Sequence, residues 1–384
     1  MKECVVVGCG LTGAVVAREL AERNFKVYII ERRNHIGGNM YDYVDRYGIL
    51  VHKYGPHTFH TNDESLYRYI LKFAEWEPYR LLCGAEIDGK ITPTPFNFKT
   101  IDDFYDEEKA KKLKTRLLEV FKNRRTVTVL EVLNCKDELI QEYGNFLFSK
   151  DYCLYTAKQW GKQPNEIDPS ILERVPLRLD YTEGYFDDRF QVMPKKSYTD
   201  FFSKLLDHKN IEIFLNVDAC SKIKVDSQLG LISVQGIGSN IPVVYTGALD
   251  ELFGEEDGVL PYRSLRFEWH HEDICSKQKY PVVAYPQAEG FTRKVEFNKL
   301  PYQQTKGTTY EVEYPLSYVK GENEPYYPIL TEESKKAYLI YQKKASKVLN
   351  LFCCGRLADF RYYNMDQALK RALEVAAIVN KRYP

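Results

Sequence analysis

The chain has 384 residues, of which 44% are hydrophobic and 28% charged, with 54 Lys plus Arg against 54 Asp plus Glu. That length holds two or three domains with sizeable cores, and a net charge of zero argues against a polyanion such as nucleic acid as the main partner. Nine cysteines, an odd number with no Cys-x-x-Cys, speak against a disulfide framework or a structural zinc site and for a reducing compartment.

The first element begins at once. Residues 3–7 read as a strand, apolar from Cys4 and β-branched from Val5, the pattern of a strand buried on both faces. Gly8, Gly10 and Gly13 follow in the run GCGLTG, then a helix over 12–23, then a second strand from Lys26 to Ile30 that ends at Glu31. This is a βαβ unit with a Gly-x-Gly-x-x-Gly turn. Gly8 permits the tight turn, Gly10 lets a pyrophosphate approach the backbone, and Gly13 lets helix pack on strand. The helix N-terminus offers free N–H groups and partial positive charge to phosphates. Glu31 stands where a carboxylate can accept from ribose hydroxyls.

Arg32, Arg33, Gly37, Gly38 and Asn39 come next. A Glu-Arg followed by a Gly-Gly turn resembles the flavin-binding branch of the dinucleotide fold, amine oxidases included. Residues 102–150 then change character. Ala110, Leu113, Leu117 and Val120 recur at helical spacing between lysines, which predicts a helical insertion with a solvated basic face rather than a nucleic-acid patch. Short alternating stretches over 174–200 and 262–320, such as Arg263 to Trp269, Arg293 to Phe297 and Thr309 to Tyr314, predict antiparallel strands of a separate sheet. Ile211 to Leu215 and Val243 to Tyr245 return to buried strands. Leu351 to Cys354 is the last, leading through Gly355 and Arg356 to a helix over 365–381.

The expected architecture is therefore α/β. A dinucleotide domain is built from 1–90, 201–260 and 345–384, a helical domain from 98–165, and an antiparallel sheet domain from 172–200 and 261–330. No apolar run reaches membrane-spanning length and no cleavable leader is visible, so a cytosolic protein without a membrane partner is expected. The scattered histidines and cysteines predict no metal site.

Several longer motifs carry a more specific likeness: HKYGPHTFHT (52–61), YTAKQWG (155–161), RVPLR (174–178), YRSLRFE (262–268), EPYYP (324–328) and GRLADFRYYNMDQ (355–367). In this order they resemble the UDP-galactopyranose mutase family over essentially the whole chain. The resemblance implies three domains: a flavin-binding Rossmann-like one, a helical bundle and a six-stranded antiparallel sheet. It implies FAD, active when reduced and with no net redox change, whose N5 attacks the anomeric carbon while the nucleoside diphosphate departs. It also implies a homodimer, and furanose donors for bacterial surface polysaccharides such as O-antigen.

Residue roles follow by the same likeness. Arg174 and Arg293 match phosphate-facing arginines, which suit charge growing on a leaving diphosphate, and His60 matches a histidine that positions the isoalloxazine edge. Tyr327 and Tyr362 match tyrosines that bond the diphosphate. Tyr155, Thr156, Trp160 and Tyr185 match nucleotide-binding positions. The implied cofactor contacts are Gly8, Gly10, Thr12, Gly13, Glu31, Arg32, Gly38, Asn39, His57, Thr58, Arg356, Tyr363, Asn364, Met365, Asp366, Gln367 and Ala368.

The sequence departs from the family at a few places. Pro93 stands where the family has a sugar-facing asparagine, and Ala284 aligns with a second one across a one-residue gap. Asn364 replaces an aspartate, and Lys195 and Lys196 replace a Gly-Gly pair. A site with fewer amides leaves a substrate hydroxyl unsatisfied, which points to a substrate with fewer hydroxyls. Within the family dTDP-fucopyranose fits, and UDP-galactopyranose stays open beside it. An FAD amine oxidase is the more distant alternative.

Overall fold

The computed structural model describes residues 2–160, 175–226, 228–239 and 241–384; at 159, 160, 238 and 239 it describes backbone only. At its centre is a five-stranded parallel sheet in the order Ile211–Phe214, Phe25–Ile30, Lys2–Val7, Val243–Tyr245, Leu351–Cys353. The first strand shows why its inner residues, Cys4 to Val7, are uniformly apolar. Cys4 and Val6 enter the core beneath the helices Leu11–Ala21, Tyr198–Leu206 and Met365–Arg382. Val5 and Val7 point the other way, into a second core with Tyr245, Leu249, Tyr341 and Ala345. With both faces covered from Cys4 onward, the period of two carries no polar residue there; Lys2 and Glu3 stand at the less buried start of the strand. Tyr341 and Ala345 belong to the helix Glu332–Ser346, so the dinucleotide-domain core takes in residues before 345.

Arg18 fixes the glycine-turn helix in place. Its Nη1 donates to the carbonyls of Lys204, Leu205 and Asp207 at 3.4, 3.2 and 3.2 Å, at the C-terminal end of the Tyr198–Leu206 helix. Those carbonyls have no intrahelical partner, and a cation there is favourable.

The second sheet has seven strands, in the order Tyr327–Pro328, Tyr262–Glu272, Thr308–Ser317, Arg293–Glu296, Val282–Ala284, Cys83–Ile87, Lys90–Thr94. It is antiparallel except where Val282–Ala284 meets Cys83–Ile87 in parallel. It departs from the six-strand expectation, and the strand Cys83–Ile87, expected within the dinucleotide segment, pairs here. The stretch 174–200 also pairs elsewhere: Leu177–Arg178 joins Thr126–Val127, and Phe190–Pro194 lies between Phe59–Thr61 and Trp76–Pro78. Alternation announces a strand and not its partner, so a strand at 190–194 was legible while its neighbour was not.

The helical insertion comprises Phe98–Phe104, Glu107–Val120, Val129–Leu133, Glu138–Leu147 and Cys153–Trp160 around a third core that includes Leu113, Leu117, Ile140 and Leu147. Val120 is exposed, because the Glu107–Val120 helix ends there. Among the described residues no helix is long and apolar enough to cross a membrane, and no group of side chains could hold a metal ion.

Candidate functional site

The glycine turn makes the floor of a long cavity. Gly8 has φ +94°, and a Cβ there would meet Thr246 Oγ1 at 2.1 Å. A Cβ on Gly13 would lie 2.0 Å from the Gly8 carbonyl oxygen. Gly38, at φ +57°, comes so near Gly10 that its Cβ would stand 2.7 Å from the Gly10 Cα. Two glycine turns thus interlock, and neither tolerates a side chain. Gly10 caps the Leu11–Ala21 helix without a side-chain acceptor, and no acid stands in the first turn. The leading amides and the positive end of that helix remain available to an anion.

Glu31 is buried, with Oε2 accepting from the Cys9 amide at 2.7 Å and Oε1 from the Arg33 amide at 2.9 Å. Held at both oxygens, it keeps one orientation and still has lone pairs for hydroxyls. The cavity runs past Asp218, Cys220 and Ala248 at one end, and past His57, Arg356, Met365 and Ala368 at the other. Thr12, Arg32, Asn39, Tyr363 and Asn364 line it too. Three expected cofactor residues stand off its wall. Thr58 is half-buried. Asp366 accepts the Thr61 hydroxyl at 3.0 Å, and Gln367 accepts the Asn364 amide at 2.9 Å in a capping box. The final helix points its N-terminus into this end, where negative charge is favoured.

Arg33, named in the sequence beside Arg32 but given no contact of its own, lines the cavity. It donates to Asn39 Oδ1 and Glu324 Oε2, both at 3.0 Å, and lies 4.3 Å over the Tyr54 ring. Glu324 also accepts from Arg32 at 2.6 Å. Its place in the EPYYP run was the available signal.

Burial holds the His57 imidazole neutral, down to about 4, against the Gly55 carbonyl bond and with Arg356 and Arg293 adding to the effect. A carbonyl only accepts, so the Nδ1 that lies 2.8 Å from Gly55 O carries the proton and Nε2 is the acceptor. His60 lies apart from the cavity wall: its Nδ1 is 2.8 Å from Asp188 Oδ2, and its ring stacks on Phe186 at 3.6 Å.

Arg293 stands on the inner face of the second sheet. Burial works against its charge, but Glu313, then Tyr155 and Tyr327, outweigh it and keep the guanidinium protonated. Glu313 faces it across the strand pair, unassigned by sequence reasoning, and accepts both Nε and Nη2. Tyr327 and Tyr362 have ring centroids 5.7 Å apart, and Arg356 lies 5.3 Å from each. Thr156 is buried near Tyr155, and Tyr185 packs edge-on against Phe186. Thus Arg293, Tyr155, Tyr327, Tyr362, Arg356 and His57 gather on one side of the dinucleotide cavity. The Trp160 side chain and all of Arg174 lie outside the described residues.

Sheet register separates the two departures at the expected sugar site. Ala284 is directly opposite Arg293 and shares its face. Pro93 lies in line with Gly84, Val283 and Lys294, the alternate pleat. Ala284 therefore sits beside the arginine, and Pro93 faces away from it.

The chain is similar to known proteins over its full length. The profile described as UDP-galactopyranose mutase matches residues 150–362, and one described as an NAD(P)-binding Rossmann-like domain matches 6–73. A dTDP-fucopyranose mutase of Escherichia coli is 34% identical over 99% of each chain. A UDP-galactopyranose mutase of Mycoplasma pneumoniae is 34% identical over 97% of this chain and 94% of its own. Among solved structures, reduced UDP-galactopyranose mutase superposes with a TM-score of 0.74 at 15% identity, covering 100% of this chain and 94% of that one. A redesigned putrescine oxidase reaches 0.59 at 11% over 99% of each.

Proposed function

Because the chain belongs to the UDP-galactopyranose mutase family, we propose that it interconverts the pyranose and furanose forms of a nucleotide-activated sugar, using reduced FAD without net oxidation. The overall change moves ring closure from one sugar oxygen to another, so it balances without an external oxidant or reductant.

The cavity residues fit the cofactor. Interlocked glycines leave backbone where a pyrophosphate must approach, Glu31 is fixed for ribose hydroxyls, and a groove this long suits a dinucleotide. Gly8, Gly10, Gly13, Gly38 and Asn39 would hold the pyrophosphate region, and His57, Arg356, Met365 and Ala368 the flavin end. A reduced flavin held there would supply a nucleophile for the anomeric carbon.

The chain's own groups do the rest. Arg293, kept charged and oriented by Glu313, receives the diphosphate as its bond to the sugar breaks, when negative charge on it grows. Tyr327 and Tyr362 flank that position as hydroxyl donors. Tyr155 and Thr156 bind the nucleoside. His57 presents a neutral Nε2 acceptor at the cavity wall.

The observation that carries the reading is the gathering of Arg293 and its tyrosines beside the dinucleotide cavity. Our leading donor is dTDP-fucopyranose, converted to dTDP-fucofuranose, since Ala284 provides no amide on the arginine face for an additional sugar hydroxyl. UDP-galactopyranose is the second reading, favoured by the Mycoplasma relatives at 34% and 35% identity. We place the enzyme in the cytoplasm as a homodimer serving surface-polysaccharide synthesis. Turnover of both donors by the dithionite-reduced protein tests this. A higher kcat/KM on dTDP-fucose, with Ala284→Asn shifting the preference toward UDP-galactose, supports the first donor. A far higher kcat/KM on UDP-galactose reverses the choice, and oxygen consumption with an amine would favour an oxidase.

A further inference from the structure

Lys158 lies inside the YTAKQWG run, yet none of the roles above uses it. It sits on the helix Cys153–Trp160, two residues after Thr156. Its Nζ donates to the carbonyl oxygens of Tyr285, Ala288 and Phe291 at 2.5, 2.8 and 2.9 Å. Three donors meet three acceptors, so the head group is saturated. Those carbonyls belong to the turn joining the strands Val282–Ala284 and Arg293–Glu296. Burial pushes Lys158 down to about 8, with Asp151 opposing, which leaves an ammonium at neutral pH.

A lysine on a solvated helix keeps its head in water. This one spends all three donors on the backbone of another domain. The turn it grips is closed by the Tyr285 amide on the Thr292 carbonyl at 2.8 Å, and it leads directly into Arg293. A longer contact adds to it: the Lys158 carbonyl accepts from Arg263 Nη2, at 3.5 Å, on the strand Tyr262–Glu272 of the same sheet. Helix and turn are thus tied within a few residues of the groups that recognise opposite halves of the ligand.

We propose that Lys158 is a positioning residue that fixes the spacing between the nucleoside subsite at Tyr155 and Thr156 and the phosphate-facing Arg293. This rests on the functional reading above. A ligand that bridges two subsites gains over its separate pieces only while their separation is held. Lys158 therefore makes a nucleoside diphosphate one ligand rather than two weak ones.

The test titrates FAD-loaded Lys158→Met, which keeps the apolar stem, with dTDP, UDP, thymidine, uridine and inorganic pyrophosphate. The nucleoside diphosphates should lose affinity on the order of tenfold or more, while the nucleosides and pyrophosphate bind as to the unsubstituted protein. Propylammonium should restore part of the loss in Lys158→Ala. Whole and pieces weakening together, or no change in the whole, would overturn the proposal. Amide exchange across 285–291, measured without ligand, should quicken in Lys158→Met. Unchanged exchange overturns the role of Lys158 itself. Quickened exchange in Lys158→Met, where the unsubstituted protein itself binds no nucleoside diphosphate, instead shows that the functional reading has failed, and the positioning role with it.

Discussion

Arg293 donates both Nε and Nη2 to one carboxylate oxygen, Glu313 Oε2, at 2.9 and 2.7 Å. The pairing leaves Nη1 for a ligand and fixes the plane of the guanidinium. Arg293→Lys should therefore lower kcat/KM by about 10²–10³, the range for removing one donor from a developing anion, because one ammonium cannot serve Glu313 and a diphosphate in that geometry. Flavin content should be unchanged. Steady-state kinetics with absorbance at the flavin band checks both. Glu313→Ala leaves a half-buried cation without its carboxylate and should lower the midpoint of urea unfolding.

Glu311, two residues earlier on the same strand face, is the opposite case. It is fully buried, neither oxygen has a hydrogen-bond partner among the described residues, and burial, reinforced by Glu313 and opposed by Arg293, raises its pKa well above the usual range. It is a neutral acid in the fold and an anion in the unfolded chain. Between the unfolded pKa and the higher folded one the native state binds more protons, so stability falls as pH rises. Glu311→Gln should remove that slope and raise Tm more at pH 8 than at pH 4, where both states are protonated.

His52 and His57 impose a slope of the other sign. Burial holds them down to about 3 and about 4, with the charge of one neighbouring the other at His52. The unfolded chain takes up protons near 6.5 while the fold does not, so stability rises with pH between about 4 and 6.5. His52 Nδ1 accepts the His57 amide at 3.1 Å, and its Nε2 has no partner among the described residues. His52→Asn should therefore reduce the dependence of Tm on pH below 6.

Gly38→Ala places a Cβ 2.7 Å from the Gly10 Cα, at a residue already in the left-handed region. Backbone cannot yield as a flexible side chain can. The variant should purify with most of its flavin lost, while far-UV circular dichroism remains close to that of the unsubstituted protein. Gly48→Ala, also at positive φ but with nothing within 4 Å, separates strain from crowding and should keep its flavin.

How much of this was legible in the sequence depends on locality. The alternation of Cys4 to Val7 between two cores, the glycine turn and Glu31 all lie within one βαβ unit, and their spacing announces their roles. The pairing of Arg293 with Glu313 depends on register between two strands, and nothing local reports it. The same is true of the Cys83–Ile87 strand, which pairs locally with Lys90–Thr94 but on its other edge with the distant Val282–Ala284, and of Phe190–Pro194 beside His60. Arg33 was visible as a residue but not as a contact, because its partner Glu324 lies 291 residues away in the sequence.

The central claim is that this protein, with reduced flavin in the cavity and Arg293 on the diphosphate, interconverts the pyranose and furanose forms of a nucleotide-activated sugar. Anaerobic incubation of the purified, dithionite-reduced protein with dTDP-fucopyranose and with UDP-galactopyranose, followed by chromatographic separation of ring forms, tests it directly. The account predicts furanose product from at least one donor when the flavin is reduced and none when it is oxidised. A flavin-loaded, fully reduced protein that leaves both donors as pyranoses would contradict it.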